Sequence, residues 1–255
     1  MKRFLLSVLA VVLLLVLGLG GLFASAFIGN APIQPGLVDG FIHVVPDSYV
    51  TANILDCGDG KVMLIDAGDD KAGKAIIAEL AAMHLDAHAV AAIFLTHGHG
   101  DHVGAVPLFP DAKTYALQAD VALAEGRTGG QGPLARVMPV KPTGVRVTRG
   151  LVDGEVVQVG NRALHVFAIP GHTAGSAAFW VDGALFLGDS AGASNDGKVR
   201  PAPKVFSDNT DENRASIKAL PARLAAAHLD VKTLIFAHTG RLQGLKPLVD
   251  FAAQY

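Results

Sequence analysis

The chain has 255 residues, 51% of them hydrophobic, with 21 basic and 23 acidic side chains and a single cysteine, Cys57. That length supports one sizeable domain with a buried core. The lone cysteine excludes an internal disulfide and a thiolate-built zinc site, and the slightly acidic balance argues against a nucleic-acid partner, which needs a basic face.

Lys2 and Arg3 precede an uncharged stretch from Phe4 to Ile28. Two readings of it stay open. The basic start, the apolar run and Ala24-Ser25-Ala26 fit a cleaved secretory signal. The length fits a membrane anchor, which needs roughly 20 apolar residues. Both readings export the rest of the chain, with the basic pair left inside. Residues 1–28 are therefore expected to form a signal peptide or hydrophobic anchor helix, 29–40 a Pro- and Gly-containing tether, and 41–255 one exported domain. That domain is membrane-anchored if the leader stays, and periplasmic or extracellular if it is cut. Without Lys2 and Arg3, 19 basic residues face 23 acidic ones, a net charge of −4.

After the tether the pattern is rich in strands. Residues 41–45, 49–55 and 61–65 read as strands, the last running into Asp66-Ala67-Gly68-Asp69-Asp70. Residues 71–84 space Ile76, Ile77, Leu80, Ala81 and Met83 as a helix does. Residues 90–95 form a buried strand ending at Thr96, and 104–125 alternate helix-like and strand-like pieces. Residues 126–150, with six glycines and three prolines, read as a long loop with a short strand at 145–148. Strands follow at 156–159, 163–169, 177–181 and 184–187. Residues 191–210 are irregular, 208–210 cap a helix over 211–227, 234–237 form a buried strand, and 246–253 a final helix. The order implies a mixed α/β or α+β layered domain with two sheets.

The chemistry concentrates in Thr96-His97-Gly98-His99-Gly100-Asp101-His102. Three histidines and an aspartate follow directly on a buried strand, and imidazole with carboxylate suits zinc, iron or manganese. Gly98 and Gly100 are expected to let the backbone turn tightly, so that alternate side chains converge. The bland alternative is a polar loop of solvated histidines. Three further ligand types each end an apolar run: His172 after Phe167–Gly171, Asp189 after Ala184–Gly188, and His238 after Leu234–Ala237. Sites in layered folds assemble at such strand ends.

The motifs T-H-G-H-G-D-H, P-G-H-T-A-G-S, L-G-D-S and F-A-H-T-G, with L-I-D-A-G at 64–68, resemble those of the metallo-β-lactamase superfamily. The resemblance covers about 64–240. It implies an α+β fold, a four-layer αββα sandwich, here preceded by an N-terminal hydrophobic helix, with metals at one edge between the sheets. It further implies two metal ions, zinc first, with iron or manganese compatible. His97, His99 and His172 would hold one; Asp101, His102 and His238 would hold the other; Asp189 would bridge them. Asp101 and Asp66 are the candidate catalytic carboxylates, Asp101 accepting a proton and Asp66 orienting the site. The implied function is hydrolysis of an ester, thioester, lactone or amide of a small molecule by a metal-bridging hydroxide. A phosphodiesterase or nuclease on the same scaffold, and an iron-dependent sulfur dioxygenase, are the alternatives. Asp189 resembles the glyoxalase II, lactonase and phosphodiesterase branches, because β-lactamases of this superfamily typically lack a carboxylate there. The chain shows no clear C-terminal helical substrate domain of the glyoxalase II kind.

Other residues carry bland readings. Ser176 and Ser190 read as turn groups and not nucleophiles, and His84 and His88 as a solvated helix terminus. His43, His165 and His228 carry no motif, and Lys198, Arg200 and Lys204 read as a solvated charge cluster.

Overall fold

Two sheets are built around one shared apolar layer, in a computed structural model that describes residues 27–254 together with Gly18, Gly20 and Gly21. The hydrophobic helix expected over 1–28 thus falls almost wholly outside the described residues. Among the described residues no helix is long and apolar enough to cross a membrane.

The first sheet takes its strands in chain order: β1 (Gly36–Val38), β2 (Ile42–Asp47), β3 (Val50–Asp56), β4 (Val62–Ile65), β5 (Val90–Phe94), β6 (Lys113–Leu117) and β7 (Arg149–Leu151). The first four pair antiparallel, and β4 to β7 pair parallel. Parallel neighbours need crossovers, and each here carries a helix: α1 (Lys74–Ala82), α2 (Gly100–Val103) and α3 (Val121–Ala124). The second sheet holds β8 (Val156–Val159), β9 (Arg162–Ala168), β10 (Ala177–Val181) and β11 (Ala184–Phe186). The hairpin β12 (Ala191–Ala193) and β13 (Val199–Pro201) follows, then α4 (Thr210–Ala226), and β14 (Thr233–Ile235) and β15 (Leu242–Gln243) complete the sheet before α5 (Lys246–Gln254). β14 pairs parallel to β11, so α4 is again a crossover.

Three apolar clusters define the layers. Phe94, Met63 and Ile65 of the first sheet meet Phe179, Phe186 and Val166 of the second in the central one. Ile76 and Leu80 of α1 pack with Ile54, Leu64 and Ile93 on the outer face of the first sheet. Ile217, Leu220 and Leu224 of α4 and Phe251 of α5 cover the outer face of the second. The order helix, sheet, sheet, helix follows from sheets with two apolar faces each. The buried run Val62–Ile65 has no polar side because β4 lies between both layers.

α1 is shorter than its apolar spacing predicts. The Asp70 carboxylate accepts from the N–H groups of Ala72 and Lys74, which folds residues 70–73 into a turn. At the other end His84 has φ +59, and the Leu85 and His84 amides donate back to Leu80 and Ala81. α4 ends the same way, with His228 at φ +56 and Leu229 donating to Leu224. Both histidines are therefore left-handed helix stops. Asn209 caps the start of α4 by accepting from the amides of Asp211 and Glu212.

Two expected irregular stretches are ordered by pairing. Within the tether, β1 pairs with the open edge of β2, the Ala31 amide donates to the Ala193 carbonyl, and the Ala31 carbonyl accepts from the Gly240 amide. Residues 191–201 form the β12–β13 hairpin. The strand expected at 145–148 forms instead as β7, directly after that span.

Gly188 links β11 to Asp189 with φ +52, and a Cβ there would strike the Thr96 side chain. We expect Gly188→Ala to cost about 1–3 kcal/mol and to lower Tm by roughly 2–10 °C in thermal unfolding followed by circular dichroism. An unchanged Tm would contradict this tight fit between the two sheets.

Candidate metal centre

The strand ends on one edge of the sandwich bring the sequence-predicted ligands together. Asp66 follows β4, His97 and His99 follow β5, and His102 lies in α2. His172 follows β9, Asp189 follows β11 and His238 follows β14. His97, His99 and His172 form one group, Asp101, His102 and His238 a second, and Asp189 shares a group with His97 and His102.

In the first group the inward nitrogens form a triangle. His97 Nε2 lies 3.0 Å from His99 Nδ1 and 3.2 Å from His172 Nε2, and the third side is 3.1 Å. Ring tautomers follow from the outer partners. Ser207 Oγ donates to the Pro203 carbonyl, so it accepts from His172 Nδ1 at 3.1 Å. Thr96 Oγ1 donates to Asp66 Oδ2, so it accepts from His97 Nδ1 at 3.2 Å. Both Nε2 atoms therefore point lone pairs at each other, and no hydrogen bond joins them. Burial, and then the neighbouring histidines, hold His97 well below the usual imidazole range. Burial pushes His172 down to about 3.

The second group mixes signs. His102 Nε2 is 3.2 Å from Asp189 Oδ1 and 3.9 Å from Asp101 Oδ1. His238 Nε2 is 3.1 Å from Asp189 Oδ2 and 3.4 Å from Asp101 Oδ2. Asp189 Oδ2 also lies 3.6 Å from His172 Nε2, so this carboxylate touches both groups. Burial opposes charge on His102, yet Asp189, Asp66 and Asp101 outweigh it and hold the ring well above its usual range. Burial opposes charge on Asp189 as well, and His238 and His102 outweigh it.

The donor set fits divalent metal ions. Nitrogens at about 2.0–2.1 Å from a tetrahedral zinc lie roughly 3.3 Å apart, close to the triangle found. His102 Nε2 and Asp189 Oδ1 are buried 3.2 Å apart with no well-formed hydrogen bond between them or to other described residues, which native proteins avoid unless a ligand is meant.

The supporting residues were only partly foreseen. Asp66 takes a left-handed backbone, φ +59, that turns its carboxylate inward. It accepts from the Thr96 amide and hydroxyl at 2.7 Å each and from His102 Nδ1 at 2.8 Å. Both oxygens are engaged, so Asp66 is a positioning residue. Asp120 carries no motif, yet it is buried and binds Gly98 N, Thr173 Oγ1 and Gly175 N at 2.7–2.8 Å. It clamps the His97–His102 loop to the His172 loop. Tyr49 offers its carbonyl to His238 Nδ1 at 2.8 Å and stacks its ring on that imidazole. Burial, then Asp101, push its phenol up to about 12, so it remains a hydrogen-bond donor. Sequence spacing carries no signal for Asp120, Tyr49 or Ser207, because their roles exist only across the fold.

Gly98 and Gly100 act differently from expectation. Neither has a positive φ. A Cβ on Gly98 would strike the Ala124 amide and Leu123, so the requirement there is close approach of α3. Gly100 has open space around it. Ser176 Oγ accepts from the Thr173 amide within its own turn, and the Ser190 carbonyl accepts from Asn213. His88 is exposed beside Asp111, and His165 packs edge-on against Trp180. Of the three cations at 198–204, Lys198 pairs in solvent with Asp196, but Arg200 and Lys204 line the cavity.

That cavity, about 1060 Å³, opens directly above the two groups. His99, Asp101, Asp189 and His238 form its floor, and segments 126–143 and 200–206 form its walls. The loops that the sequence left unread are thus the ones that shape it.

Comparison with known proteins identifies the family and the fold. The sequence profile of the metallo-beta-lactamase superfamily matches residues 45–238. A hydroxyacylglutathione hydrolase of Stenotrophomonas maltophilia (strain R551-3) is 32% identical over 197 residues, 75% of this chain and 65% of that protein. One from Aeromonas hydrophila subsp. hydrophila is 31% identical over 189 residues, 72% of this chain and 59% of that protein. The chain thus spans somewhat less than two thirds of the length of these relatives. A solved B3 metallo-beta-lactamase with an active-site glutamic acid superposes with a TM-score of 0.66 at 22% identity, over 91% of both chains, a likeness of fold. The chain belongs to the metallo-beta-lactamase superfamily.

Proposed function

We propose that the chain is a dinuclear metal-dependent hydrolase of small molecules, zinc being the first-choice ion, that cleaves an ester, thioester, lactone or amide carbonyl. The observation that carries this reading is the pair of ligand groups meeting at Asp189. His97, His99 and His172 would hold one ion, Asp101, His102 and His238 the other, with Asp189 reaching both. Bound divalent ions supply Lewis-acid charge and lower the pKa of a water to near about 7.

The chain's own groups supply the rest. Asp101 stands on the cavity floor with its second oxygen 3.4 Å from His238 Nε2, placed to accept a proton from the attacking water. The Tyr49 phenol, protonated and facing the cavity, donates toward substrate oxygen. Asp66 fixes His102 so that its Nε2 faces inward. The names of the relatives support carbonyl chemistry over phosphodiester chemistry, and the acidic balance supports a small-molecule partner over nucleic acid. The uncharged leader supports export, with membrane attachment if it is not cut.

Two experiments test this. Metal-loaded protein is expected to hydrolyse p-nitrophenyl acetate, a lactone or S-lactoylglutathione, and to leave bis-p-nitrophenyl phosphate intact; the reverse preference would favour a phosphodiesterase. Asp66→Asn puts an amide N–H where carboxylate now accepts from Thr96 and His102. It should weaken metal affinity or kcat by about 10–100-fold with KM little changed. Wild-type metal affinity and kcat in that variant would remove Asp66 from the account.

A further inference from the structure

Above its floor the cavity changes character. The ligating groups sit together at the bottom, while Phe27, Leu134, Met138, Val140 and Phe206 line the walls. These residues come from three distant segments that are fastened to one another. Arg200 Nη1 donates to the Ile28 carbonyl at 2.7 Å and to Asn30 Oδ1 at 2.6 Å, which holds residues 27–30 against β13. The Phe27 ring packs edge-on against Phe206, with centroids 6.3 Å apart. The Leu134 amide donates to the Val205 carbonyl at 3.1 Å, and the Gln131 amide to Asp208 Oδ1 at 2.7 Å. The wall is a built surface, not a gap between loose loops.

Met138 of the lining is 62% exposed, and its chain neighbour Val137 and Phe27's neighbour Ile28 are 77% and 71% exposed. Apolar groups exposed around an apolar cavity mark a ligand site. The volume of about 1060 Å³ reaches the top of the roughly 300–1,000 Å³ range of small-molecule sites, and an acetyl or lactoyl group would leave most of it empty. Phe27, which lines this cavity, is the next-to-last residue of the uncharged stretch Phe4–Ile28.

We propose that the substrate is an ester or thioester carrying a long apolar acyl chain. The scissile carbonyl lies at the His99–Asp101–Asp189–His238 floor and the chain runs along the Phe27–Phe206–Met138 wall. This inference rests on the hydrolase reading above. In the reaction a water oxygen bonds to the carbonyl carbon and the C–O or C–S bond breaks. A carboxylic acid and an alcohol or thiol leave, the latter taking a proton from the water.

The test uses the metal-loaded full chain and p-nitrophenyl esters from acetate to decanoate below their micellar concentrations. While the chain is being buried, kcat/KM should rise about fourfold per methylene, from roughly 0.8 kcal/mol each, and thus on the order of 100-fold from butanoate to octanoate. Met138→Asp, which sets a carboxylate in the wall, should shrink the octanoate-to-acetate ratio at least about tenfold. A flat or falling series with acetate still cleaved overturns this proposal and leaves the hydrolase standing. If neither these esters nor a lactone nor S-lactoylglutathione is cleaved, the hydrolase reading fails, and binding of the fluorescent fatty acid cis-parinaric acid decides the wall's role. Saturable uptake displaced by decanoate supports an apolar-chain site; no uptake overturns it.

Discussion

Two imidazole lone pairs face each other across 3.2 Å at the meeting point of the sandwich's two sheets. The Nδ1 atoms of His97 and His172 are occupied by Thr96 and Ser207, which are themselves committed as donors elsewhere. The inward nitrogens therefore have no protons to share, and burial keeps both rings neutral. Such an arrangement is unfavourable by itself and favourable around a cation. The strand ends, the Asp120 clamp and the tight approach of α3 to Gly98 all serve to hold it. The two sheets contribute one histidine each to this pair, so the site forms only when the central core has brought them together.

The neighbouring group reverses the electrostatics. Burial opposes charge on His102, yet Asp189, Asp66 and Asp101 gather around it and hold the ring well above its usual range. Burying several carboxylates in a low-dielectric edge is costly unless each has a partner. Asp66 has three donors, whereas Asp189 Oδ1 meets His102 Nε2 at 3.2 Å without a well-formed hydrogen bond. The unfinished hydrogen bonding is concentrated where both ligand groups meet.

Much of this centre was legible because its chemistry is local. His97, His99, Asp101 and His102 stand within six residues, and the backbone from β5 into α2 presents them together. His172, Asp189 and His238 were legible because each ends an apolar strand, and the layered order follows from sheets with two apolar faces. The left-handed turns at His84 and His228 gave no such signal, nor did the pairing of β1 with β2. The role of Asp120 depends on three groups 22 to 55 residues away. Gly98 shows the limit of local reasoning, since its missing side chain makes room for a helix and not for a turn. The cavity walls were unreadable for the same reason: Leu134, Val205, Phe206 and Phe27 acquire meaning only through contacts across the fold.

In the proposed reading the wall sets specificity and the floor carries the chemistry, and its central claim is that seven side chains share a cation pair. Crystals of the metal-loaded protein, measured above and below the zinc absorption edge, test that directly. Two anomalous peaks are predicted, one ligated by His97, His99 and His172, the other by Asp101, His102 and His238, with Asp189 touching both. No peak, or peaks away from these residues, would contradict the account.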